Sequence, residues 1–502
     1  MKEKTKLAIG FCSRPFFQKE TAQEDQSQVL DVLAGNDIEA VTLPLGTVLD
    51  DAETAGQFAN LLRTNREKLQ GIVFSLVNFG DESVALYLAN LLKELSLPIF
   101  VHGLPDEADK LDMAHRRDTF CGKNSFVNVL NQCGIPFTVL APMVVAPRDP
   151  AFGDNVDYFA GVCRVVSGMK DLTVLALGAP TTAFKTVRVD PITLQKHGIR
   201  LETLDLLGVY DQMERVDAAG IPYKGMLDSL RKFTGECWGN LPEPVATKIV
   251  KAGVVFNDLI DQYGAQVVAI RCWQEFQQLA ERLGFSVCTL LAWINAIKGV
   301  SAACEVDVLT GIMQRVFSLA TGNPALCLDF NNNTDDPNRM IGFHCGVCAG
   351  KKFAVPGTMN MEQHAILGGS FGLENTWGCF TGRIPPIATT TGNCMTSNGH
   401  MLAFLADGQF VDHTGQIPDN FFGYAGIAEI PKMQSMMLLN QTGGFHHHAA
   451  FSLGRQVSIP VLEALVNYLG WGVYLPQQMT ELQCRFPFAN NGGLWAKFAL
   501  AT

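Results

Sequence analysis

The chain has 502 residues, of which 47% are hydrophobic, 17% charged and 9% aromatic, and its net charge is −11. That length fits about three domains with sizeable cores, and the composition excludes a disordered chain. The scattered acidic charge excludes an electrostatic grip on nucleic acid or on an anionic membrane surface.

The basic start MKEKTK precedes an apolar stretch, 7–12, that is too short for a signal-peptide core and is closed off by Arg14. No window reaches the roughly 18 apolar residues of a membrane span. Fourteen cysteines without regular spacing fit reduced, buried thiols, so a cytoplasmic location is expected. Cys345 and Cys348 form a lone CxxC, and a structural zinc site needs a second pair of ligands that is not evident nearby.

In chain order, strand-like runs at 6–11, 38–43, 71–77, 98–102 and 137–141 alternate with helical patterns. The clearest helix is 82–95, where Val84, Leu88, Leu91, Leu92 and Leu95 recur at helical spacing. Continuous apolar strands separated by helices predict a doubly wound parallel sheet, the first α/β domain, over 1–165. A second such domain, 166–350, has strands at 173–178, 201–206, 266–271, 325–330 and 340–344, with helices at 247–263, 274–283 and 308–320. From 351 to 502, glycine, threonine and aromatic residues dominate. Short runs at 401–405 and 409–412, turns at Ala406-Asp407-Gly408 and His413-Thr414-Gly415, and one helix near 459–468 predict a smaller β-rich, barrel-like domain.

No GxGxxG opens a helix and no GxxxxGK[ST] occurs, so a nucleotide cofactor lacks its usual signature. The lone GGSFG around Ser370 lacks the strand–turn–helix context of a nucleophile elbow. More informative is CEVDVLTGIMQRVFSLATGNPALCLDF, in which Glu305 and Asp307 precede a helix and Asp329 ends the following strand. In an open α/β sheet, strand C-termini line the ligand crevice. Taken singly, each acid is more often structural: Glu305 and Asp307 as acids favouring a helix N-terminus, and Asp329 as the opening of the turn NNNTDDP. GGFHHHAAFSLG places His446, His447 and His448 together, as metal ligands or as a hydrogen-bonded cluster. Two carboxylates and one imidazole make a familiar divalent-metal site. His344, Arg271 and Trp273 lie at further strand ends and are candidate substrate-binding residues, as are His447 and Arg14. Arg271, Lys185 and Arg188 could hold an anionic group, or pair with acids such as Asp190 and Glu275.

The arrangement Glu305-x-Asp307…Thr321-Gly322…Asp329, the His448-x5-Gly454 segment and Arg14-Pro15 after the first strand resemble the L-fucose isomerase and L-arabinose isomerase superfamily, most nearly its fucose isomerase side. The resemblance implies that Glu305, Asp329 and His448 bind a metal, Mn²⁺ or alternatively Mg²⁺ or Co²⁺. It implies that Glu305 and Asp329 also act as base and acid, and that Arg14 reaches a neighbour's site in a homo-oligomer, expected as a hexamer. His447 stands where fucose isomerases have Asn, and His344 where arabinose isomerases have an additional metal histidine. The expected function is therefore aldose–ketose isomerisation of an unphosphorylated hexose or pentose through an ene-diol, extending to an anionic sugar such as sulfoquinovose. The alternatives are a metal-dependent aldolase or epimerase, and a non-catalytic sugar-binding protein.

Overall fold

Three sheets organise the described residues, which are 4–487 except 20, 113, 182 and 183 of a computed structural model. The first contains β1 (Thr5–Cys12), β2 (Ile38–Thr42), β3 (Gly71–Leu76) and β4 (Ile99–Gly103), all parallel, in the order β2-β1-β3-β4. β1, β3 and β4 read as largely apolar runs because both faces are covered, whereas the edge strand β2 keeps Glu39 exposed. On β1, Leu7 and Ile9 join one core with Phe100 and Phe159, while Ala8 joins the other with Phe58 and Phe74. The helix expected over 82–95 forms as Glu82–Leu95, with Asp81 accepting the Ser83 N–H at its start. The strand expected at 137–141 does not form. Only Thr138 bridges to Phe100, and Pro136 and Pro142, which have no N–H to give a ladder, bracket the segment.

The second sheet repeats this construction with β5 (Leu172–Leu177), β6 (Ile199–Leu204), β7 (Val267–Ile270) and β8 (Ser301–Cys304), ordered β6-β5-β7-β8 and parallel throughout. The helix expected at 274–283 shrinks to Glu275–Gln278. Gln277 Nε2 turns instead to the carbonyls of Cys272 at 3.3 Å and Phe285 at 3.0 Å, tying down a loop.

The third sheet has nine strands: β9 (Leu326–Asn333), β10 (Arg339–His344), β11 (Asn360–Gln363), β12 (Trp377–Arg383), β13 (Ile387–Ser397), β14 (His400–Val411), β15 (Tyr424–Glu429), β16 (His448–Phe451) and β17 (Gly472–Tyr474). A pairing of β14 with β15 closes β15-β10-β9-β16-β13-β14 into a barrel, which leaves those six strands without a free edge. The fold is thus α/β, with two doubly wound parallel sheets and a larger mixed, barrel-like sheet after them. β9 and β10, read from the sequence as parallel strands of the second α/β unit, are antiparallel barrel strands. The five residues between them are too few for a parallel crossover. The turn expected at Ala406-Asp407-Gly408 is likewise continuous strand within β14. There Asp407 is held by Thr390 and Ser458, and Gly408 lies so close to the Glu429 carbonyl that a Cβ would sit 2.4 Å from it.

The chain forms two compact units. One ends at Ser167 and takes in Glu463–Leu469, and the other holds the remaining described residues. In the first, Tyr158 Oη donates to Glu463 Oε2 at 2.7 Å, Thr138 donates to the same carboxylate, and Tyr468 Oη accepts the Ile99 N–H at 3.3 Å. No helix among the described residues is long and apolar enough to cross a membrane.

Candidate metal centre

Glu305 is delivered by a strained turn. It follows β8 directly, and both Glu305 (φ +61°) and Val306 (φ +58°) occupy the left-handed region, where a β-branched residue is an outlier. Such strain costs about 1–3 kcal/mol per residue and persists only where the surroundings impose it. Here Val306 N–H donates to Ile270 O at 3.2 Å and Asp307 N–H to Cys304 O at 2.9 Å, which pins the turn against β7 and β8. The result is a carboxylate side chain aimed inward and only 4% exposed.

Asp329 and His448 meet through strand register. β9 and β16 pair antiparallel with Asp329 opposite His448, and directly opposed residues carry their side chains on one face of a sheet. Asp329 therefore sits in mid-strand of the barrel, not at the C-terminal edge of a parallel sheet as its sequence context implied. Asn393 Nδ2 donates to the carbonyls of His446 at 3.1 Å and His448 at 2.6 Å, fixing the three-histidine segment. His448 Nε2 then lies 3.4 Å from Asp329 Oδ1 and 3.5 Å from Glu305 Oε2.

The other ring nitrogen is held from behind. Asp307, fully buried, accepts the Thr310 N–H at 3.0 Å as N-cap of the helix Val308–Thr321, and accepts from His448 Nδ1 at 2.7 Å. Burial alone would raise Asp307, but His446 and His448 hold its carboxyl well below the usual range. Burial pushes Glu305 up to about 7, against the opposing charge of His448 and with Asp329 and Asp307 adding to the rise. It raises Asp329 as well, His448 again opposing. For His448, burial would lower the imidazolium, yet the Asp307 hydrogen bond and the three carboxylates carry it up to about 10.

Glu305 Oε2, Asp329 Oδ1 and His448 Nε2 are each buried with no hydrogen-bond partner. Leaving such atoms unpaired costs about 1–3 kcal/mol each. The two carboxylate oxygens each face the His448 nitrogen, and possible ligand atoms close to within 4.8 Å of one another in two groups that share it, Glu305–His344–His448 and Asp329–His447–His448. Carboxylate oxygens with imidazole nitrogen fit a divalent cation of the oxygen-rich class.

The remaining candidates fall into different settings. His344, at the end of β10, accepts the Cys345 N–H on Nδ1 at 2.9 Å, which leaves Nε2 protonated and directed at Cys304 Sγ, 3.0 Å away. That ring belongs to a buried group with Glu305 and His448, but its Nε2 lone pair is not presented to them in this tautomer. His447 Nε2 is 3.8 Å from Asp329 Oδ1, and burial depresses its ring to about 4. Arg271 is engaged with Glu275 and the Ala179 carbonyl, so its charge is answered locally. Lys185 and Arg188 are exposed. Arg14, in the first unit, pairs with Glu82 and lies 4.0 Å over the Phe79 ring.

Trp273 belongs to a feature with no sequence signature. From His448 the rings run through His447, Phe184 and Trp273 to His364, then through Phe422, Phe343 and His344 back to His448. Successive centroids along this circuit are 4.2–6.5 Å apart. Phe184, His364, Phe343 and Phe422 come from four separate segments, so no local spacing announced them. Asp307 was visible only as a helix-start acid. The short E-x-D spacing was its one signal.

Residues 8–170 match the family described as fucose/sulfoquinovose isomerase, N-terminal domain. The match is to an N-terminal domain and takes in about a third of the chain. It covers a stretch separate from residues 305–454, where most of the sequence resemblance lies, so the two point the same way independently. No curated protein matches the chain.

Proposed function

With an N-terminal segment matched to fucose/sulfoquinovose isomerases as the premise, we propose that this chain is a metal-dependent aldose–ketose isomerase of an unphosphorylated hexose or pentose, acting in the cytoplasm. The observation that carries the reading is the meeting of Glu305 Oε2, Asp329 Oδ1 and His448 Nε2, all buried and unpartnered. These three would hold the ion, Mn²⁺ in first place with Mg²⁺ or Co²⁺ as alternatives. When bound, a divalent cation polarises the sugar oxygens and lowers the cost of negative charge on them.

The chain's own groups do the proton work. Moving a carbonyl from C1 to C2 requires a proton to leave C2 and another to arrive at C1, through an ene-diol. Glu305 and Asp329 flank one position and serve as the base and acid for this exchange. His448 is oriented by Asp307 through Nδ1, so its Nε2 cannot swing away from the two carboxylates. Lys185 and Arg188, for which no ion pair is found among the described residues, are the cations left to meet an anionic sugar.

The test is a screen of unphosphorylated aldoses, neutral, acidic and sulfonated, with Mn²⁺ and with EDTA. Ketose of unchanged mass, formed only with the metal, is expected. Carbon–carbon cleavage products or an epimer would indicate an aldolase or epimerase, and saturable binding indifferent to EDTA would indicate a binding protein. We extend the proposal to a homo-oligomer, a hexamer, in which Arg14 completes a neighbour's site; an active monomer by light scattering would contradict it.

A further inference from the structure

His364 carries the argument beyond the metal centre. It is 1% exposed and sits at the start of the short helix Ala365–Phe371, where its Nδ1 accepts the Leu367 N–H at 3.3 Å. With Nδ1 acting as an acceptor, the ring proton of the neutral imidazole must be on Nε2. That Nε2–H is buried and has no hydrogen-bond partner. Burial depresses the ring to about 4, so at neutral pH it is a neutral donor and not a cation.

The helix needs only the Nδ1 lone pair, and the core needs no N–H at all. A phenyl ring would fill the space against Trp273 (5.9 Å, edge-on) and Phe422 (5.2 Å) without stranding a donor. The cost of an orphaned buried N–H, about 1–3 kcal/mol, is explained if a ligand oxygen satisfies it. The place of His364 in the ring circuit says which ligand. Intervening rings separate it from the metal ligand His448: His447, Phe184 and Trp273 on one side, and His344, Phe343 and Phe422 on the other.

We infer that His364 is a substrate-positioning residue whose Nε2–H donates to a hydroxyl oxygen of the sugar at the end remote from the reacting carbons, with Trp273 and Phe422 walling that hydroxyl. This rests on the isomerase reading above. A neutral donor fixes the position and orientation of a hydroxyl without demanding charge on the substrate. It thus selects among sugars by the presence and configuration of that hydroxyl. Because the contact is as strong in the ground state as in the transition state, it acts on KM and leaves kcat nearly unchanged.

The experiment uses the Mn²⁺-loaded full-length protein, the aldose turned over fastest in the screen, and the alditol made by reducing that aldose, which cannot isomerise. His364→Asn keeps a helix-capping acceptor and removes the Nε2 donor. His364→Gln places an amide N–H near the Nε2 position. The Asn variant is expected to raise both KM for the aldose and the calorimetric Kd of the alditol about tenfold, with kcat within about twofold and melting unchanged, and the Gln variant to recover part of the loss. In the Mg²⁺-loaded wild type, the His364 Nε2–H proton resonance, assigned by its absence in His364→Gln, should move on adding alditol. An Asn variant with unchanged KM and Kd, or a resonance that does not move, overturns the inference while leaving the isomerase reading intact. A wild type that isomerises no aldose overturns that reading, and this one with it.

Discussion

The two parallel sheets are built alike and end differently. Both order their strands 2-1-3-4, counting from each sheet's own first strand. Near its C-terminal ends the first sheet carries buried polar groups that are nearly all answered. Ser75 Oγ meets His102 Nδ1 at 2.9 Å, His102 Nε2 meets Val145 O at 2.8 Å, and Arg117 is spent on Asp25 and Val77 O at 2.7 Å each. Past the second sheet, Glu305 turns into a site whose donors and acceptors are left open. Among the described residues of the first unit, Thr119 Oγ1 is the one buried side-chain atom without a partner; the rest of that set lies in the second. An identical frame therefore says nothing about where chemistry is. Unanswered polarity does.

The contrast is sharpest for turnover. Glu305→Gln and Asp329→Asn should each lower kcat by about 10²–10⁴-fold, measured on the best aldose, with the melting transition retained. Near-normal activity in either would break the comparison at its centre.

In the first unit the expected effects are on stability. Burial holds His102 down at about 4, below its ordinary 6.5. The unfolded chain then binds a proton that the folded one refuses, so stability is present above pH 6.5 and is lost as pH falls toward 4. Two and a half pH units correspond to about 3 kcal/mol. Amide exchange in β3 and β4 at pH 4.5 and 7 should show this loss, and His102→Asn should flatten it. An unchanged profile in that variant would mean that some other group carries the pH response.

Asp307→Asn probes the join between orientation and binding. It should weaken Mn²⁺ affinity by about 10–100-fold in a calorimetric titration, because His448 loses the acceptor that fixes its tautomer. Smallest is Asp51→Ala, which removes the capping box of the helix Ala52–Asn65. About 1 kcal/mol of stability should go with no change in kcat/KM; a fall in kcat/KM would bring the first unit into the chemistry.

What the sequence disclosed follows the same division. Continuous apolar runs and helical patterns in 1–165 located β1 to β4 and the 82–95 helix, because burial on both faces of the inner strands leaves little room for polar alternation. The barrel was legible as β-rich, but not in its membership. β9 follows a helix just as a parallel strand would, and only the tight return to β10 marks it as antiparallel. Glu305, Asp329 and His448 could be named because each sits in a short motif, and the structure brings both carboxylates within 3.5 Å of His448 Nε2. His364 and Phe184 could not, since packing alone unites segments so far apart in sequence. Arg271 illustrates the reverse limit. A cation at a strand end suggests an anion site until its i+4 neighbour Glu275 is seen to hold it.

Glu463–Leu469 has a consequence for how the molecule is made. During synthesis the first 167 residues leave the ribosome long before residue 463, and early segments begin to fold first. Until that late stretch arrives, the Tyr158 and Thr138 hydroxyls lack the carboxylate that receives them, and the Ile99 N–H lacks Tyr468. Of the three sheets, the one that emerges before the others is thus among the last to be finished. A messenger cut short before codon 463 would yield a product whose first unit is missing its own closing piece.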